Sequence, residues 1–168
     1  PTGTAAKREV LEEVLDRAPG ACVLVDEAYF EFCGITMLPY LNEYPNLFVS
    51  RTFSKVYGMA ALRVGCLFSC EDNMRHIHKA HSPYSVNFLA AMAAKVAVED
   101  SSFLESYVTE ALAAREFITA GLEKLGVPYF PSQANFVLME VGKNSLAIRD
   151  RLREQGILVR DRSYEIAG

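Results

Sequence analysis

No apolar stretch of this sequence is long enough to cross a membrane. A membrane-spanning helix needs about 20 consecutive apolar residues, and charged residues interrupt the hydrophobic stretches well before that length. No signal-peptide pattern is present. No basic tract occurs among the 17 Lys and Arg residues, which face 21 Asp and Glu residues for a net charge of −4. We therefore expect no membrane partner and no nucleic-acid partner.

Cysteine spacing typical of metal or redox sites is absent as well, because the chain has four cysteines and no C-x-x-C pair. All four stand in apolar or strand-like surroundings: Cys22, Cys33, Cys66 and Cys70. We interpret them as reduced core thiols of a cytoplasmic protein rather than as disulfides.

The three histidines, His76, His78 and His81, form the pattern H-x-H-x-x-H. On a helix His76 and His78 point in nearly opposite directions, and only His78 and His81 share a face. We therefore expect a solvated or interface helix here and no metal site.

The composition that remains is that of a globular protein. The 168 residues are 51% hydrophobic and 23% charged, enough to build a sizeable core. Apolar runs that predict parallel strands buried on both faces lie within residues 21–29, 46–50 and 63–69. Helical spacing and capping residues predict helices over residues 5–17, 55–61, 71–80 and 87–99. Strands that alternate with helices indicate an α/β layer fold.

Near residue 100 the pattern changes. Ser102 and Glu105 form a capping-box signature, and apolar residues at helical spacing then predict one long helix that ends at Gly126. The elements expected after it are strands at 127–130, 135–141 and 157–160 and a helix at 145–155. We therefore divide the chain into an α/β part, residues 1–100, and a bridging helix with a smaller α+β unit, residues 101–168.

Acidic residues end the first predicted strand in the segment VLVDEAY. Ligands of open α/β sheets bind at such strand ends. A magnesium-nucleotide site at Asp26 has little support, because G-x-x-x-x-G-K-[ST] and G-x-G-x-x-G are both missing. Asp26 can instead be a permanent anion facing a cationic ring, with the Tyr29 hydroxyl nearby. The alternative, an acid that caps the next helix, stays open at this stage.

The segment SRTFSK follows the second predicted strand and holds Ser50, Thr52, Ser54 and Lys55. Free N–H groups at a helix start and neighbouring hydroxyls make a phosphate cradle, and Arg63 can clamp the same phosphate. A lysine amine in such a cleft can form a Schiff base. The alternative is a surface lysine in a loop with unrelated hydroxyls.

Together the two segments supply an amine, an anion, a phenol and a phosphate clamp, which is the set that pyridoxal phosphate requires. The chain resembles the fold-type I pyridoxal-phosphate aminotransferases, and among them the histidinol-phosphate enzymes. The segments that carry the resemblance are PTGT, DEAYFEF, NLFVSRTFSKVYGMAALRVG, SPYSVN, SQANFVL and GILVRD. The resemblance implies the C-terminal part of a large three-layer domain with a mainly parallel sheet, plus most of a small α+β domain.

The resemblance also implies roles for individual residues. Lys55 would be the aldimine and proton-transfer lysine, Asp26 the partner of the pyridine nitrogen, and Tyr29 the partner of the ring 3-hydroxyl. The cofactor phosphate would be held by Thr52, Ser54 and Arg63. Arg160 would contact the substrate phosphate, while Asn135 lies in a matching segment without an assigned role.

The function implied is transfer of an amino group between histidinol phosphate, or a similar amino acid derivative, and a 2-oxo acid in a homodimer. Two alternatives stay open: a lyase on the same scaffold, such as a threonine-phosphate decarboxylase, and an inactive truncated chain. The ends at Pro1 and Gly168 look like cuts through a longer sequence. The family places a phosphate-binding loop, a ring-stacking aromatic residue and a substrate-binding arginine outside them. Met59 and Ala61 are mild departures from the family's lysine motif.

Overall fold

The computed structural model describes residues 2–165, which form six α-helices and three β-strands around a small mixed sheet. The helices are α1 (Arg8–Arg17), α2 (Phe30–Cys33), α3 (Glu71–Ala80), α4 (Phe88–Glu99), α5 (Ser101–Leu125) and α6 (Ser145–Glu154). The strands are β1 (Val23–Asp26), β2 (Leu47–Thr52) and β3 (Gly65–Phe68). Short 3₁₀ helices lie at Leu38–Tyr40, Ala60–Leu62 and Gly142–Asn144. The predicted α/β class is confirmed.

The sheet has the order β1-β2-β3. β1 and β2 are parallel, with Asp26 opposite Ser50, and β3 runs antiparallel to β2, with Gly65 opposite Thr52. Parallel pairing places the carboxyl ends of β1 and β2 side by side at one edge of the sheet. The antiparallel return of β3 brings the residues before Gly65 back to that same edge.

Two apolar clusters hold these elements together. The first joins α1, the segment after α2 and β2 through nearly fully buried side chains: Leu15, Met37, Leu47 and Val49. The second packs α4 against the loop that follows β2: Phe53, Val64, Ala90 and Ala94. Phe53 and Val64 both belong to the second cluster. The loop between them, which contains Lys55, is therefore anchored at both ends by buried side chains.

The prediction that the strands are buried on both faces is wrong for the described chain. Exposure alternates along β1, where Leu24 is 60% exposed, and most of β3 is also exposed. The described residues therefore cover one face of β1 with apolar side chains and leave the other face open. The prediction that the cysteines lie in the core is also wrong, because Cys22 and Cys66 are exposed. All four thiols are free.

The long helix α5 begins earlier than the capping box predicted. Asp100 is its N-cap and its carboxylate accepts a 3.0 Å hydrogen bond from the Phe103 N–H. Ser102 instead donates its hydroxyl to Asp100. The C-terminus lies where predicted, because Gly126 adopts φ = 66° and glycine tolerates this left-handed conformation. No helix within residues 2–165 is both long and apolar enough to span a bilayer.

The three strands predicted after α5 do not form. The first two are reduced to one bridge between Tyr129 and Met139. Proline has no N–H to donate to a ladder, so Pro128 and Pro131 limit the pairing on both sides of that bridge. The predicted strand at 157–160 is exposed chain without strand pairing.

The division of the chain at residue 100 stays a prediction. Helix α5 packs on the part before residue 100 through Tyr107, whose ring lies 6.3 Å from that of Phe32.

Gly65 offers a direct test of how tightly β2 and β3 pack. A Cβ at this position would lie 2.7 Å from the backbone oxygen of Arg51, and backbone cannot move aside as a flexible side chain can. Gly65→Ala is therefore expected to lower the free energy of unfolding by about 1–3 kcal/mol, measured by urea denaturation. Gly121→Ala is the control, because a Cβ at this position in α5 would meet no heavy atom within 4 Å outside the backbone of its own helix. It should be neutral or stabilising by about 0.5–1 kcal/mol; equal effects would contradict the packing argument.

Candidate functional site

The carboxylate of Asp26 is fixed at the carboxyl end of β1. Its Oδ1 accepts a 3.1 Å hydrogen bond from the Ser50 hydroxyl and a 3.2 Å bond from the Ala28 N–H. The residue is exposed, and within residues 2–165 its Oδ2 accepts no hydrogen bond. Asp26 does not cap the next helix, since α2 has Tyr29 at its N-cap. The carboxylate is thus held in place by one oxygen while the other can receive a ligand.

The amine of Lys55 lies next to the phenol ring of Tyr29. Nζ is 5.3 Å from the centroid of that ring, close enough for a cation–π contact. The Tyr29 ring also packs edge-on against Phe136, with centroids 5.5 Å apart. Lys55 is half-buried. The structure therefore brings together the amine and the phenol that the sequence proposed for one site.

A turn, and not the predicted helix over 55–61, follows the lysine. The Gly58 N–H donates to the Lys55 carbonyl at 3.0 Å, and Gly58 has φ = 67°. The next N–H, that of Met59, donates to the Phe53 carbonyl instead of continuing a helix from Lys55. Only the 3₁₀ turn Ala60–Leu62 remains. The helix start that the phosphate cradle assumed is therefore absent, and the candidate phosphate ligands are side chains of the loop.

The three candidate phosphate ligands lie around this loop. The Thr52 hydroxyl accepts the Ser54 N–H at 3.1 Å. Arg63 is exposed, adopts φ = 54° and donates one guanidinium N–H to the Ala60 carbonyl at 3.0 Å. The Phe53 N–H donates to the Val64 carbonyl at 3.2 Å, which closes the loop and returns Arg63 to the strand end that carries Thr52. A guanidinium has five N–H donors, so the contact with Ala60 leaves donors for an anion.

The structure does not bring Arg160 to this group. It lies on exposed chain after α6, and within residues 2–165 its side chain makes no polar contact with the residues named above. Asn135 is also exposed. Its neighbour Phe136 is half-buried and packs on the ring of Tyr29. No periodicity in the sequence reveals that contact.

The segment PTGT and the loop 131–136 are joined directly. Thr4 donates its hydroxyl to the Pro131 carbonyl at 2.7 Å, and the Gln133 side chain accepts the Ala5 N–H at 2.7 Å. Gly3 has φ = 95°, and a Cβ there would lie 2.5 Å from the Ser132 hydroxyl oxygen. These contacts hold the loop that ends at Phe136, whose ring packs on Tyr29. Two of the motifs that carry the family resemblance thus support the ring beside Lys55.

A second carboxylate, Glu31 in α2, has an altered affinity for protons. Its pKa is raised above the ordinary value of 4.5, mainly because burial disfavours the charged form; the neighbouring Arg51 opposes this shift.

The raised pKa of Glu31 makes the stability of the folded protein depend on pH. The contribution of Glu31 to that stability is fully present below pH 4 and is lost as the pH rises through the raised pKa. Glu31→Gln should therefore raise the thermal midpoint at pH 7 and leave it nearly unchanged at pH 4. The exposed Glu110→Gln in α5 should show no such difference between the two pH values.

The described side chains fit pyridoxal phosphate by their chemistry. A half-buried lysine amine, a fixed carboxylate with one free oxygen, and a phenol lie at the ends of β1 and β2, with hydroxyls and a guanidinium around the adjoining loop. Within residues 2–165, no three His, Cys, Asp or Glu side chains are placed to bind a metal ion.

The family model for class I and II aminotransferases matches residues 1–167. The chain belongs to the class I and II aminotransferase family. A curated relative, histidinol-phosphate aminotransferase 2 of Hydrogenovibrio crunogenus, is 39% identical over 165 residues, which is 95% of this chain and 44% of the relative. The chain therefore spans less than half the length of that relative.

Solved structures show the same fold. Histidinol-phosphate aminotransferase from Sinorhizobium meliloti, in complex with pyridoxal-5'-phosphate, is 28% identical with a TM-score of 0.83, covering 95% of this chain and 46% of that one. L-threonine-O-3-phosphate decarboxylase from Porphyromonas gingivalis is 26% identical with a TM-score of 0.83, covering 99% of this chain and 54% of that one. The fold class predicted from the sequence, part of a fold-type I enzyme, agrees with these neighbours.

Proposed function

We propose that this chain carries the cofactor-binding core of an aminotransferase that uses pyridoxal phosphate and passes an amino group from a phosphorylated amine to a 2-oxo acid. The observation that carries the proposal is the grouping at one sheet edge of the anchored Asp26 carboxylate, the Tyr29 ring and the Lys55 amine. Family membership supports the reaction class.

When bound, pyridoxal phosphate supplies an aldehyde that condenses with amines and a protonated ring that accepts electrons. Asp26 would hold the ring nitrogen in its protonated form, and Ser50 would keep that carboxylate in place. Lys55 would hold the aldehyde and would serve as the group that carries the proton at the substrate Cα. Tyr29 would donate its hydroxyl to the ring oxygen. Thr52, Ser54 and Arg63 would hold the phosphate.

For the amino substrate we propose histidinol phosphate or a close analogue, because the 39% identical relative bears that name. Arg160 is the candidate ligand of the substrate phosphate. We further propose a cytoplasmic homodimer. Residues 1–100 would belong to the cofactor-binding domain and residues 101–168 to the bridging helix and small domain.

A second candidate, a decarboxylase of phosphorylated amino acids, is favoured by the likeness to the threonine-phosphate decarboxylase. Both reactions use the same lysine and aspartate and differ in the bond broken at Cα. The intact protein should therefore be incubated with pyridoxal phosphate, 2-oxoglutarate and either histidinol phosphate or threonine phosphate. Formation of glutamate and a keto product from histidinol phosphate supports the proposal. Carbon dioxide release from threonine phosphate without glutamate overturns it in favour of the decarboxylase.

The third alternative is a chain that folds but binds no cofactor. Because the chain spans 44% of its relative, we expect the 168 residues alone to bind pyridoxal phosphate weakly. A tight, saturable absorbance change in a titration of the isolated chain would contradict this expectation.

A further inference from the structure

We propose that Glu27 and Arg51 are a positioning pair that sets the distance between the strand ends bearing Asp26 and Lys55. This inference rests on the proposed function. Glu27 directly follows Asp26 in the chain, and Arg51 stands between Ser50 and Thr52. Each member of the pair is thus bonded covalently to residues of the candidate cofactor site.

The Glu27 carboxylate is the buried centre of a hydrogen-bond network. The residue is only 6% exposed. Its Oε2 accepts hydrogen bonds from Nε and Nη2 of Arg51 at 3.0 and 2.9 Å, and from the Thr36 hydroxyl at 2.9 Å. Its Oε1 accepts the Met37 N–H at 2.6 Å. Both oxygens therefore have partners, as a buried carboxylate requires.

The guanidinium of Arg51 is fixed from two further directions. Its carbon lies 3.6 Å from the centroid of the Phe30 ring, and Nη2 also donates to the Thr36 hydroxyl at 3.0 Å. A planar guanidinium can stack on a ring and donate in its own plane at the same time, and a lysine cannot. The network therefore depends on the arginine fork and not on positive charge alone.

The pair and the cofactor residues lie on opposite sides of the same two strand ends. Successive side chains of a strand alternate between faces, so Asp26 and Ser50 form one cross-strand pair and Glu27 and Arg51 form the next pair on the other side. The backbone joins them, because the Glu27 N–H donates to the Ser50 carbonyl at 2.8 Å. A change in the length of the Glu27–Arg51 contact shifts Ser50 relative to Asp26 and moves the loop that begins after Thr52.

A gain in stability is by itself a weak explanation for a buried ion pair. A buried ion pair often contributes no more to stability than apolar residues of the same volume, whereas its geometry is specific. An alternative is that the pair simply joins β1 to β2 at their ends. The two roles differ in one measurable respect: a positioning pair alters how the cofactor is held in protein that is still fully folded.

The test compares Arg51→Lys, which keeps the charge and removes the fork, with Glu27→Gln, which keeps the shape and removes the charge. Arg75→Lys is the matched control, since Arg75 pairs with Glu71 at 2.6 Å on the exposed face of α3. For the intact protein, titration with pyridoxal phosphate, followed by absorbance, gives the dissociation constant of the cofactor. A pH titration of the loaded protein gives the pH midpoint, at which half of the absorbance band of the bound cofactor has changed. Borohydride trapping gives the yield of labelled Lys55, and circular dichroism gives the unfolding midpoint.

We expect both variants of the pair to weaken cofactor binding about 10- to 100-fold, by analogy with residues that orient metal ligands, and to shift the pH midpoint at temperatures where they are folded. Arg75→Lys should leave both quantities unchanged. A lowered unfolding midpoint with wild-type affinity and pH midpoint overturns the inference and leaves the proposed function intact. Failure of the wild-type protein itself to give labelled Lys55 overturns both.

Discussion

Lys55→Ala is expected to abolish the covalent attachment of pyridoxal phosphate and to slow amino transfer by at least about 10²–10⁴-fold, the usual contribution of a positioned acid–base group. The variant removes both proposed functions of the amine, binding the aldehyde and moving the proton at Cα. Because Lys55 is half-buried on a turn whose backbone bond to Gly58 does not involve the side chain, the fold should persist. The measurements are single-turnover rates and peptide mapping after borohydride reduction.

The control for this experiment is Lys79→Ala, which removes an exposed lysine from α3. It should retain wild-type rates and the same labelled peptide. A label that persists in Lys55→Ala, or that maps to another lysine in the wild-type protein, would show that Lys55 is not the cofactor lysine. Addition of a small primary amine should restore part of the Lys55→Ala rate if the missing group is a proton carrier.

Sequence patterns located the parts of the fold whose signals are local. Helix α3 runs from Glu71 to Ala80 as predicted, because acidic residues in its first turn and basic residues in its last turn suit the helix dipole. Gly126 ends α5 as predicted. The motifs predicted that Asp26 and the segment of Lys55 follow consecutive strands of the chain, and the structure shows these strands, β1 and β2, paired in parallel.

The errors arise where a nearby competitor or a distant contact decides the structure. Asp100 replaces Ser102 at the start of α5 because its carboxylate reaches the Phe103 N–H. Gly58 turns the chain after Lys55 because the loop closes through Phe53 onto β3.

Two contacts of the site leave no local signal in the sequence: that of Phe136 with Tyr29, and that of the buried Glu27 with Arg51. Each joins segments that are far apart in the sequence, so a single sequence cannot predict it.

Asp26→Asn is expected to lower kcat/KM about 10- to 150-fold while the protein stays folded. The amide oxygen of Asn can still accept from the Ser50 hydroxyl and the Ala28 N–H, so local geometry is retained and only the negative charge is lost. A hydrogen bond between charged groups contributes about 1.5–3 kcal/mol, and this gives the expected range at about 1.4 kcal/mol per tenfold change. Steady-state kinetics in the intact protein measures the loss.

The control is Asp72→Asn on the exposed surface of α3, where the carboxylate lies 3.5 Å from Arg75 and carries no proposed catalytic role. It should retain wild-type kcat/KM. If the anion at residue 26 acts by holding a proton on the ring nitrogen, the deficit of Asp26→Asn should shrink as the pH is lowered and solvent supplies that proton. A deficit of equal size at every pH would indicate that the carboxylate only orients the cofactor, and an unchanged rate would remove Asp26 from the site.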